Sequence, residues 1–395
     1  MHPIQVIMIM SSTSMLLVSA LLLVIRTMPA RDGIGYWLFA AVTQALIYVF
    51  AYFSYPSEVT VAANIAFYTL QTLAISAIAL GTLKFINYPI HRDMRMMMTA
   101  IVIFIIGVAC LYEMRILASV IFVAYVAPVL FEVGYRLYQE EQKTVATRFA
   151  VMLFFLNGIH WLDYPILGQI DWFVPIGFMI GMVLVVAIFL SLSILALLQF
   201  KHNTEESEKK AIEAATHDPL TGLYNRSYLD TLFDQYANEA ESINRSFILL
   251  YFDLDGFKAV NDTYGHSAGD IVLTTIAKRI NKWLGQKGDA VRIGGDELVV
   301  LARLRADFSE ENSLAAAHRL LHLIEQPIVD GANSYSISAS VGGCCYGLPH
   351  KELDEIINEA DALMYDIKQG GGRGIKFSQF DETSTNDIEE HSSNN

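Results

Sequence analysis

The sequence predicts a multi-pass α-helical membrane domain followed by an α+β domain with a central, mainly antiparallel sheet. The first 200 residues contain seven apolar stretches, and 216–380 alternates between helical and strand patterns. Of the 395 residues, 53% are hydrophobic and 17% are charged, a composition unusual for a soluble protein. The chain is therefore expected to hold a membrane half and a soluble half.

The apolar stretches have the length of transmembrane helices, since a helix needs about 20 apolar residues to cross a bilayer. The first stretch lacks a basic start and a cleavage site, so we expect a span rather than a signal peptide. The fourth stretch is short and its link to the fifth is tight. The expected spans are 6–25, 35–55, 61–83, 97–112, 116–135, 149–167 and 173–199.

Basic residues in the links predict the orientation of these spans. The links after spans 1, 3 and 5 are basic, whereas those after spans 2, 4 and 6 hold only Arg115. By the positive-inside rule, the N-terminus lies outside and the C-terminus lies in the cytoplasm. The basic residues are Arg26, Arg31, Lys84, Arg92, Arg95, Arg136, Lys143 and Arg148.

Polar residues in span 6 raise the alternative of a transporter with a regulatory appendage. Asn157, His160 and Asp163 lie near the outer end of this span, beside Trp161 and Tyr164. We favour an interfacial aromatic belt, because aromatic side chains collect at membrane–water interfaces.

The rest of the chain is divided by composition. Residues 201–216 are polar and helix-prone, which predicts a helical stalk, with a flexible spacer as the alternative. We expect the soluble domain over 217–380 and a disordered acidic tail over 381–395.

The first 200 residues hold nine basic and nine acidic residues, so the net charge of −14 falls in the second half. This charge argues against nucleic-acid binding. The three cysteines form no disulfide or metal framework.

The stretch AVRIGGDELVVL, residues 290–301, predicts a β-hairpin with Gly294 and Gly295 at its bend. Asp296 and Glu297 come immediately after the glycines, and adjacent acids repel each other unless a cation lies nearby. A solvated turn with incidental acids is the alternative.

A second acidic cluster comes after the apolar run Phe247 to Phe252, which predicts a buried strand ending at Asp253. If this strand lies beside the hairpin, Asp253 meets Asp296 across the sheet. Carboxylates, a main-chain carbonyl and phosphate oxygens are ligands that Mg²⁺ prefers. A pair of such ions suits phosphoryl or nucleotidyl transfer.

Five motifs follow one another in the second half of the chain: DPLTGLYNR (218–226), DLDGFKAVNDTYGHSAGD (253–270), RIGGDEL (292–298), SASVG (338–342) and ADALMYDIK (360–368). Together they resemble the signatures of bacterial GGDEF-domain diguanylate cyclases, and the resemblance covers roughly 211–377. The resemblance implies a fold similar to the palm of nucleotidyl cyclases and polymerases. It also implies conversion of two GTP to cyclic di-GMP and two pyrophosphates by a homodimer in the bacterial inner membrane, each subunit presenting one GTP.

The resemblance also implies a metal and catalytic centre holding two Mg²⁺ per active site, with Mn²⁺ as a substitute. Asp253 would bind metal through its carboxylate and Leu254 through its main-chain carbonyl, and Asp296 would complete the coordination. Glu297 would hold the second metal or help deprotonate the ribose 3′-hydroxyl. Which of Asp296 and Glu297 acts as the base stays open.

The implied nucleotide contacts lie in the second and fifth motifs and just beyond. Asn261 and Asp270 would bind the guanine edge, because an acid accepts from the guanine N1 and N2 donors. His266 would line the same pocket. Contacts to phosphates would come from the Phe257 main-chain amide, Lys258, Lys368 and Arg373. A core role for Phe257 and a solvated helix position for Lys258 are the alternatives.

The chain departs from the family pattern in four places. Ile293 and Leu298 stand where the family usually has aromatic residues, and an apolar replacement is expected to spare activity. An extra glycine in KQGGGRG shifts Arg373 by one position relative to the family pattern, so its role stays open. The product-inhibition motif Arg-x-x-Asp is replaced by GQKG at 285–288. A catalytically silent GGDEF receptor for GTP or cyclic di-GMP is the alternative to an enzyme, and the metal and guanine residues favour the enzyme.

Overall fold

The computed structural model describes residues 3–29, 32–54, 60–140, 144–168, 170, 172–243, 246–303, 310–331, 333–346 and 351–378. The acidic tail expected over 381–395 lies outside the described residues. Contacts divide the chain into two compact units, Met1–Ser207 and Glu208–Asn395.

The first unit is a set of apolar helices. Among the described residues, seven helices are long and apolar enough to cross a membrane, which confirms the predicted fold class of this half. A short helix, α7, stands between the sixth and seventh of them. The helices are α1 (Pro3–Arg26), α2 (Ile34–Ser54), α3 (Val61–Phe85), α4 (Arg92–Leu111), α5 (Arg115–Tyr138), α6 (Val145–Leu162), α7 (Tyr164–Leu167) and α8 (Val174–Thr216).

The fourth helix begins earlier than its apolar stretch. Arg92 and Arg95, expected in a link, lie in the first turn of α4. Arg95 Nη2 forms an ion pair of 2.6 Å with Glu132 Oε1 of α5. The pair gives the Glu132 carboxylate a counter-charge on an otherwise apolar helix. Hydropathy alone therefore does not reveal the polar ends of α4 and α5.

Large side chains and small residues pack the bundle interior. Trp37 is fully buried, and its ring centroid lies 5.1 Å from that of Phe85 with the two rings tilted. Its Nε1–H donates to Thr82 Oγ1 at 3.2 Å. A Cβ on Gly81 would lie 2.5 Å from the Trp37 ring, so glycine is required for this close approach.

One face of span 6 lies inside the bundle, while the depth of the expected aromatic belt stays a prediction. Asn157 is 2% exposed and Trp161 is 7% exposed, so both lie inside the bundle. The Trp161 ring packs 5.1 Å from Phe122 of α5. Sequence position placed these residues near a membrane surface, but helix packing turns this face of α6 inward.

The second unit is an α+β domain built on a six-stranded sheet. The strand order is β1-β3-β4-β2-β7-β8, antiparallel except for the parallel pairs at the two edges. The expectation of a central, mainly antiparallel sheet is confirmed. The sheet strands are β1 (Tyr224–Asn225), β2 (Phe247–Asp255), β3 (Gly288–Gly294), β4 (Glu297–Arg303), β7 (Ser338–Tyr346) and β8 (Gly374–Phe377), while β5 (Ile328–Asp330) and β6 (Asn333–Tyr335) form a separate ribbon.

Helices cover both faces of this sheet. Alternate residues of β2 explain the arrangement: Ile248, Leu250 and Phe252 enter one core, while Phe247 and Leu249 enter the other. Residues from α11 and α12 share the first core, and residues from α9 and α13 share the second. The helices are α9 (Leu229–Ile243), α10 (Phe257–Tyr264), α11 (His266–Leu284), α12 (Glu310–Ile324) and α13 (Leu353–Gln369).

One predicted strand is divided. The alternation of polar and apolar residues over 333–343 predicts one strand, but β6 ends at Tyr335 and β7 begins at Ser338. Tyr335 and Ile337 are both buried, so the chain turns between two sheets while each apolar side chain still reaches the core.

Candidate active site

Three acids meet at one end of the central sheet. Asp253, 5% exposed, lies near the end of β2 directly opposite Glu297, the first residue of β4. The Leu254 backbone N–H donates to the Asp296 carbonyl at 3.2 Å. We expected Asp296 opposite Asp253; the register instead places Glu297 there, with Asp296 in the adjoining turn. The hairpin thus brings both acidic clusters together.

The bend itself is held by an arginine. Arg292 donates from Nη2 and Nε to the Gly295 carbonyl at 2.8 and 3.1 Å. Its Nη1 binds both carboxylate oxygens of Asp218, at 3.1 and 3.2 Å. Burial disfavours ionisation of Asp218, but hydrogen bonds from Thr221 and Arg292 outweigh burial and lower its pKa. Asp218 begins the first motif, where the sequence pattern assigns it no role, and only the fold reveals its partner.

The two glycines leave the outside of the bend open. Gly295 has φ 49°, a left-handed conformation that favours glycine. A Cβ added to Gly294 or Gly295 would meet no heavy atom within 4 Å. A bulky anionic group can therefore approach this turn without steric conflict.

Lysine and tyrosine side chains complete the acidic centre. Lys368 Nζ of α13 lies 2.7 Å from Asp253 Oδ2, and this hydrogen bond raises the pKa of Lys368. The Tyr251 hydroxyl donates to Glu297 Oε2 at 3.3 Å. Burial, and then the nearby charge of Asp253, raise the pKa of Asp296. The centre is an acid-rich site in which further positive charge is stabilising.

Asp255 has a structural task, although it belongs to the same acidic cluster. Its carboxylate accepts from Ser340 Oγ at 3.0 and 3.1 Å and from the Arg373 backbone N–H at 2.9 Å. Gly372 packs so closely that an added Cβ would lie 3.2 Å from this carboxyl. Asp255 therefore ties the glycine-rich loop to β2 and β7.

Arg373 directs its guanidinium away from the acidic centre. Its Nε lies 2.8 Å from Glu325 Oε1. The hydrogen bond from Arg373 lowers the pKa of Glu325. With φ 60°, Arg373 has the left-handed backbone common in glycine. Contact with a nucleotide phosphate would require this ion pair to open, and no local sequence pattern indicates the Glu325 partner.

The residues expected to contact guanine lie on α10 and α11. His266 and Asp270 are one turn apart on α11, so they share a helix face, and both are exposed. Asn261 packs its side-chain oxygen against Gly269, where any Cβ would collide with it. Gly265, with φ 85°, joins the two helices. The structure therefore brings Asn261 next to the residue that precedes Asp270.

The remaining expected contacts flank the start of α10. Phe257 is half-buried and packs against the core, while its ring also lies near Gly269. Lys258 is exposed beside it. Gly256, with φ 84°, precedes the helix and leaves the first backbone N–H groups of α10 unobstructed.

The carboxylate and carbonyl oxygens of this site fit a divalent cation whose remaining ligands come from a substrate. Among the described residues, no three His, Cys, Asp or Glu side chains form a complete metal cage. Mg²⁺ does not require one, because it usually binds through one or two carboxylates plus water and phosphate. Asp253, Asp296 and the Leu254 carbonyl offer such a partial set. Burial, and then the charge of Asp253, raise the pKa of Asp296, and a cation bound to both carboxylates would offset the second of these effects.

The second unit thus holds an acidic centre and an open glycine turn at one end of a mainly antiparallel sheet. A family model described as the diguanylate cyclase GGDEF domain matches residues 215–374. The chain belongs to this family. It is 36% identical over 168 residues to an uncharacterized 19.3 kDa protein of Streptomyces ambofaciens, covering 42% of this chain and 86% of the relative.

Two further similarities each cover less than half of this chain. The bifunctional diguanylate cyclase/cyclic di-GMP phosphodiesterase MucR of Pseudomonas aeruginosa is 37% identical over 171 residues, 43% of this chain. This chain spans only 24% of the length of MucR. The solved coiled coil and GGDEF domain of DgcB from Caulobacter crescentus, in complex with cyclic di-GMP, has a TM-score of 0.43 and 23% identity, covering 48% of this chain and 99% of that one.

Proposed function

We propose that this protein is a membrane-bound diguanylate cyclase that condenses two GTP to cyclic di-GMP and two pyrophosphates. The observation that supports this most directly is the meeting of Asp253, Asp296 and Glu297 beside a glycine turn with open space around it. Membership of the GGDEF family supplies the substrate class.

Each bond-forming step is an attack by a ribose 3′-hydroxyl on the α-phosphorus of the other GTP. The new P–O bond replaces the bond to pyrophosphate, which leaves with its electron pair. Asp296 or Glu297 removes the hydroxyl proton. The Tyr251 hydroxyl, 3.3 Å from Glu297, helps to orient that carboxylate. Two such steps close the cyclic product and release two pyrophosphates.

Two Mg²⁺ ions, or Mn²⁺ in their place, would supply charge neutralisation for the attacking and leaving oxygens. The carboxylates of Asp253 and Asp296 and the carbonyl of Leu254 would hold them, with Glu297 at the second ion. Lys368, now on Asp253, would be free to contact a phosphate oxygen when that carboxylate serves as a metal ligand.

Recognition of guanine would rest on Asn261 and Asp270, with His266 lining the same face. A carboxylate accepts from both guanine donors, whereas adenine offers no such pair. The Phe257 amide, Lys258 and Arg373 would hold the phosphates, Arg373 after release from Glu325.

The reaction needs two active sites, so the working form would be a homodimer with one GTP in each subunit. We propose residues 1–200 as a seven-span regulatory module, 201–216 as a stalk and 217–380 as the catalytic domain. The loop charges favour a multi-pass protein of the bacterial inner membrane, with a periplasmic N-terminus and a cytoplasmic GGDEF domain.

The test is incubation of the purified full chain with GTP and Mg²⁺, followed by mass identification of the product. We expect cyclic di-GMP and pyrophosphate in a ratio of one to two. Saturable GTP or cyclic di-GMP binding with no turnover would instead identify a silent receptor. ATP in place of GTP is the matched substrate control.

A further inference from the structure

A cavity of about 70 Å³ lies within the first unit, between α2, α3, α6, α7 and α8. On the same measure a single water needs roughly 10–15 Å³, so the cavity can hold more than one water. Six aromatic side chains stand in its wall: Tyr48, Phe67, Trp161, Tyr164, Phe173 and Phe178. Several contact one another, including Phe67 with Phe178 and Trp161 with Tyr164.

The charged lining of this cavity is acidic. Asp163 lines it, and no lysine or arginine does so among the described lining residues. The faces of aromatic rings carry partial negative charge and attract cations. The wall also holds the imidazole of His160 next to Asp163. A carboxylate among aromatic rings, in a wall without lysine or arginine, is suited to an organic cation.

Two polar side chains of the wall have unsatisfied atoms. Gln71 is 2% exposed, and its Oε1 has no hydrogen-bond partner among the described residues. Trp161 Nε1 also has none there. The neighbouring Gln44, by contrast, is hydrogen-bonded to Tyr48. A buried acceptor without a donor is unfavourable, and a ligand N–H group would satisfy it.

Glycines on α8 maintain the space. Gly177 and Gly181, one turn apart, both line the cavity. A Cβ on Gly181 would lie 3.0 Å from His160 Nε2 of α6, so a larger side chain would fill the gap. The occupant of the cavity therefore contacts α8, the helix that extends to Thr216.

We propose that this cavity binds a small organic ammonium ion, with its charge near Asp163, an N–H group donating to Gln71 and its apolar part among the aromatic rings. This site is distinct from the nucleotide site and does not depend on the proposed cyclase activity. Such binding would give the first unit a ligand of defined chemistry.

Binding is tested by calorimetric titration of the full chain in lipid nanodiscs with phenethylammonium, benzylammonium and butylammonium. We expect saturable binding of at least one, and at least tenfold weaker binding of uncharged 2-phenylethanol. Asp163→Asn and Gly181→Leu should each weaken the ammonium ligand at least tenfold. Asp93→Asn, which removes a carboxylate that is 92% exposed at the start of α4, should leave the affinity unchanged.

Three results would overturn the proposal: no saturable binding of any of the three ammonium ions, equal affinity for 2-phenylethanol, or full affinity in Asp163→Asn. The comparison with 2-phenylethanol uses the unaltered chain, so it stands even if a variant fails to fold. If the chain binds an ammonium ion but does not convert GTP, the proposed enzyme activity is contradicted and the proposed binding site is not.

Discussion

Asp253 is almost completely buried, and a buried carboxylate needs a counter-charge. In the structure Lys368 provides it across 2.7 Å, while Asp296 adds repulsion from the other side. The same carboxylate is thus a partner of lysine in one state and a proposed metal ligand in another. This dual role explains how an acid-rich site can fold before nucleotide and metal bind.

Asp253→Asn should abolish turnover, since an amide supplies neither the charge nor the metal affinity of a carboxylate. The fold should persist, because Lys368 is 45% exposed and can be solvated without its partner. Cyclic di-GMP formation and thermal unfolding measure the two effects. Asp234→Asn, an exposed acid on α9, is the matched control. Near-normal turnover in Asp253→Asn would remove the metal assignment.

The side chain of Asp270 should decide which nucleotide is used. Replacement by Ser removes the acceptor for the guanine donors, and discrimination of this kind exceeds tenfold in sites built on hydrogen bonds. We expect kcat/KM for GTP to fall at least tenfold in Asp270→Ser, with partial acceptance of ATP. Ser267→Ala, on an exposed neighbouring position of α11, serves as the control. An unchanged GTP preference would show that the base lies elsewhere.

At the scale of elements, the link between α11 and β3 lies where the resemblance places the product-inhibition motif. Gly285 ends α11 with φ 55°, and Gly288 opens β3 against the Leu301 carbonyl and the Leu284 side chain. Neither offers the bidentate arginine contact that the family motif provides. A side chain at Gly288 would collide with β4, so the glycine there is also required for packing.

Feedback at this link should therefore be weak. We expect micromolar cyclic di-GMP to slow initial turnover by less than twofold. Installing the motif with Gly285→Arg and Gly288→Asp should not restore inhibition, because the second change displaces β4 and lowers the unfolding temperature. Gly331→Ala, at a loop glycine with open space around it, controls for general glycine strain. Potent inhibition of the unaltered chain would reveal a different inhibitory site.

Elements with a strong local pattern were predictable, and those fixed by distant partners were not. The seven helices are predicted by long apolar runs, and the hairpin by Gly294 and Gly295 between apolar half-strands. Local sequence could not reveal that Glu325 captures Arg373 or that Trp161 faces inward, because both depend on residues brought close only by folding. The Asp253–Glu297 pairing was missed by one residue, because β4 begins at Glu297 and Asp296 stays in the turn.

At the scale of the whole molecule, the long helix α8 contributes residues both to the proposed ligand cavity and to the unit that holds the proposed catalytic site. Gly177 and Gly181 of α8 line the cavity of the first unit. Near its other end, the Ala215 carbonyl accepts hydrogen bonds from Asn225 and Ser227 of the second unit. A ligand shifts such a system only if it binds one arrangement better than another. The stalk over 201–216 is therefore the segment at which regulation can be tested.

The rotational phase of α8 should control cyclic di-GMP output if this helix sets how two catalytic domains face each other in a dimer. Inserting two alanines after Ser207 should rotate the C-terminal part of the chain by about 200°, whereas seven should nearly restore the phase and add about 10 Å. This position leaves the bonds at Ala215 untouched. Output should fall at least fivefold with two alanines and largely recover with seven. Both variants are compared at matched membrane levels with the unaltered chain. Equal output from the two insertions would mean that the stalk acts only as a tether.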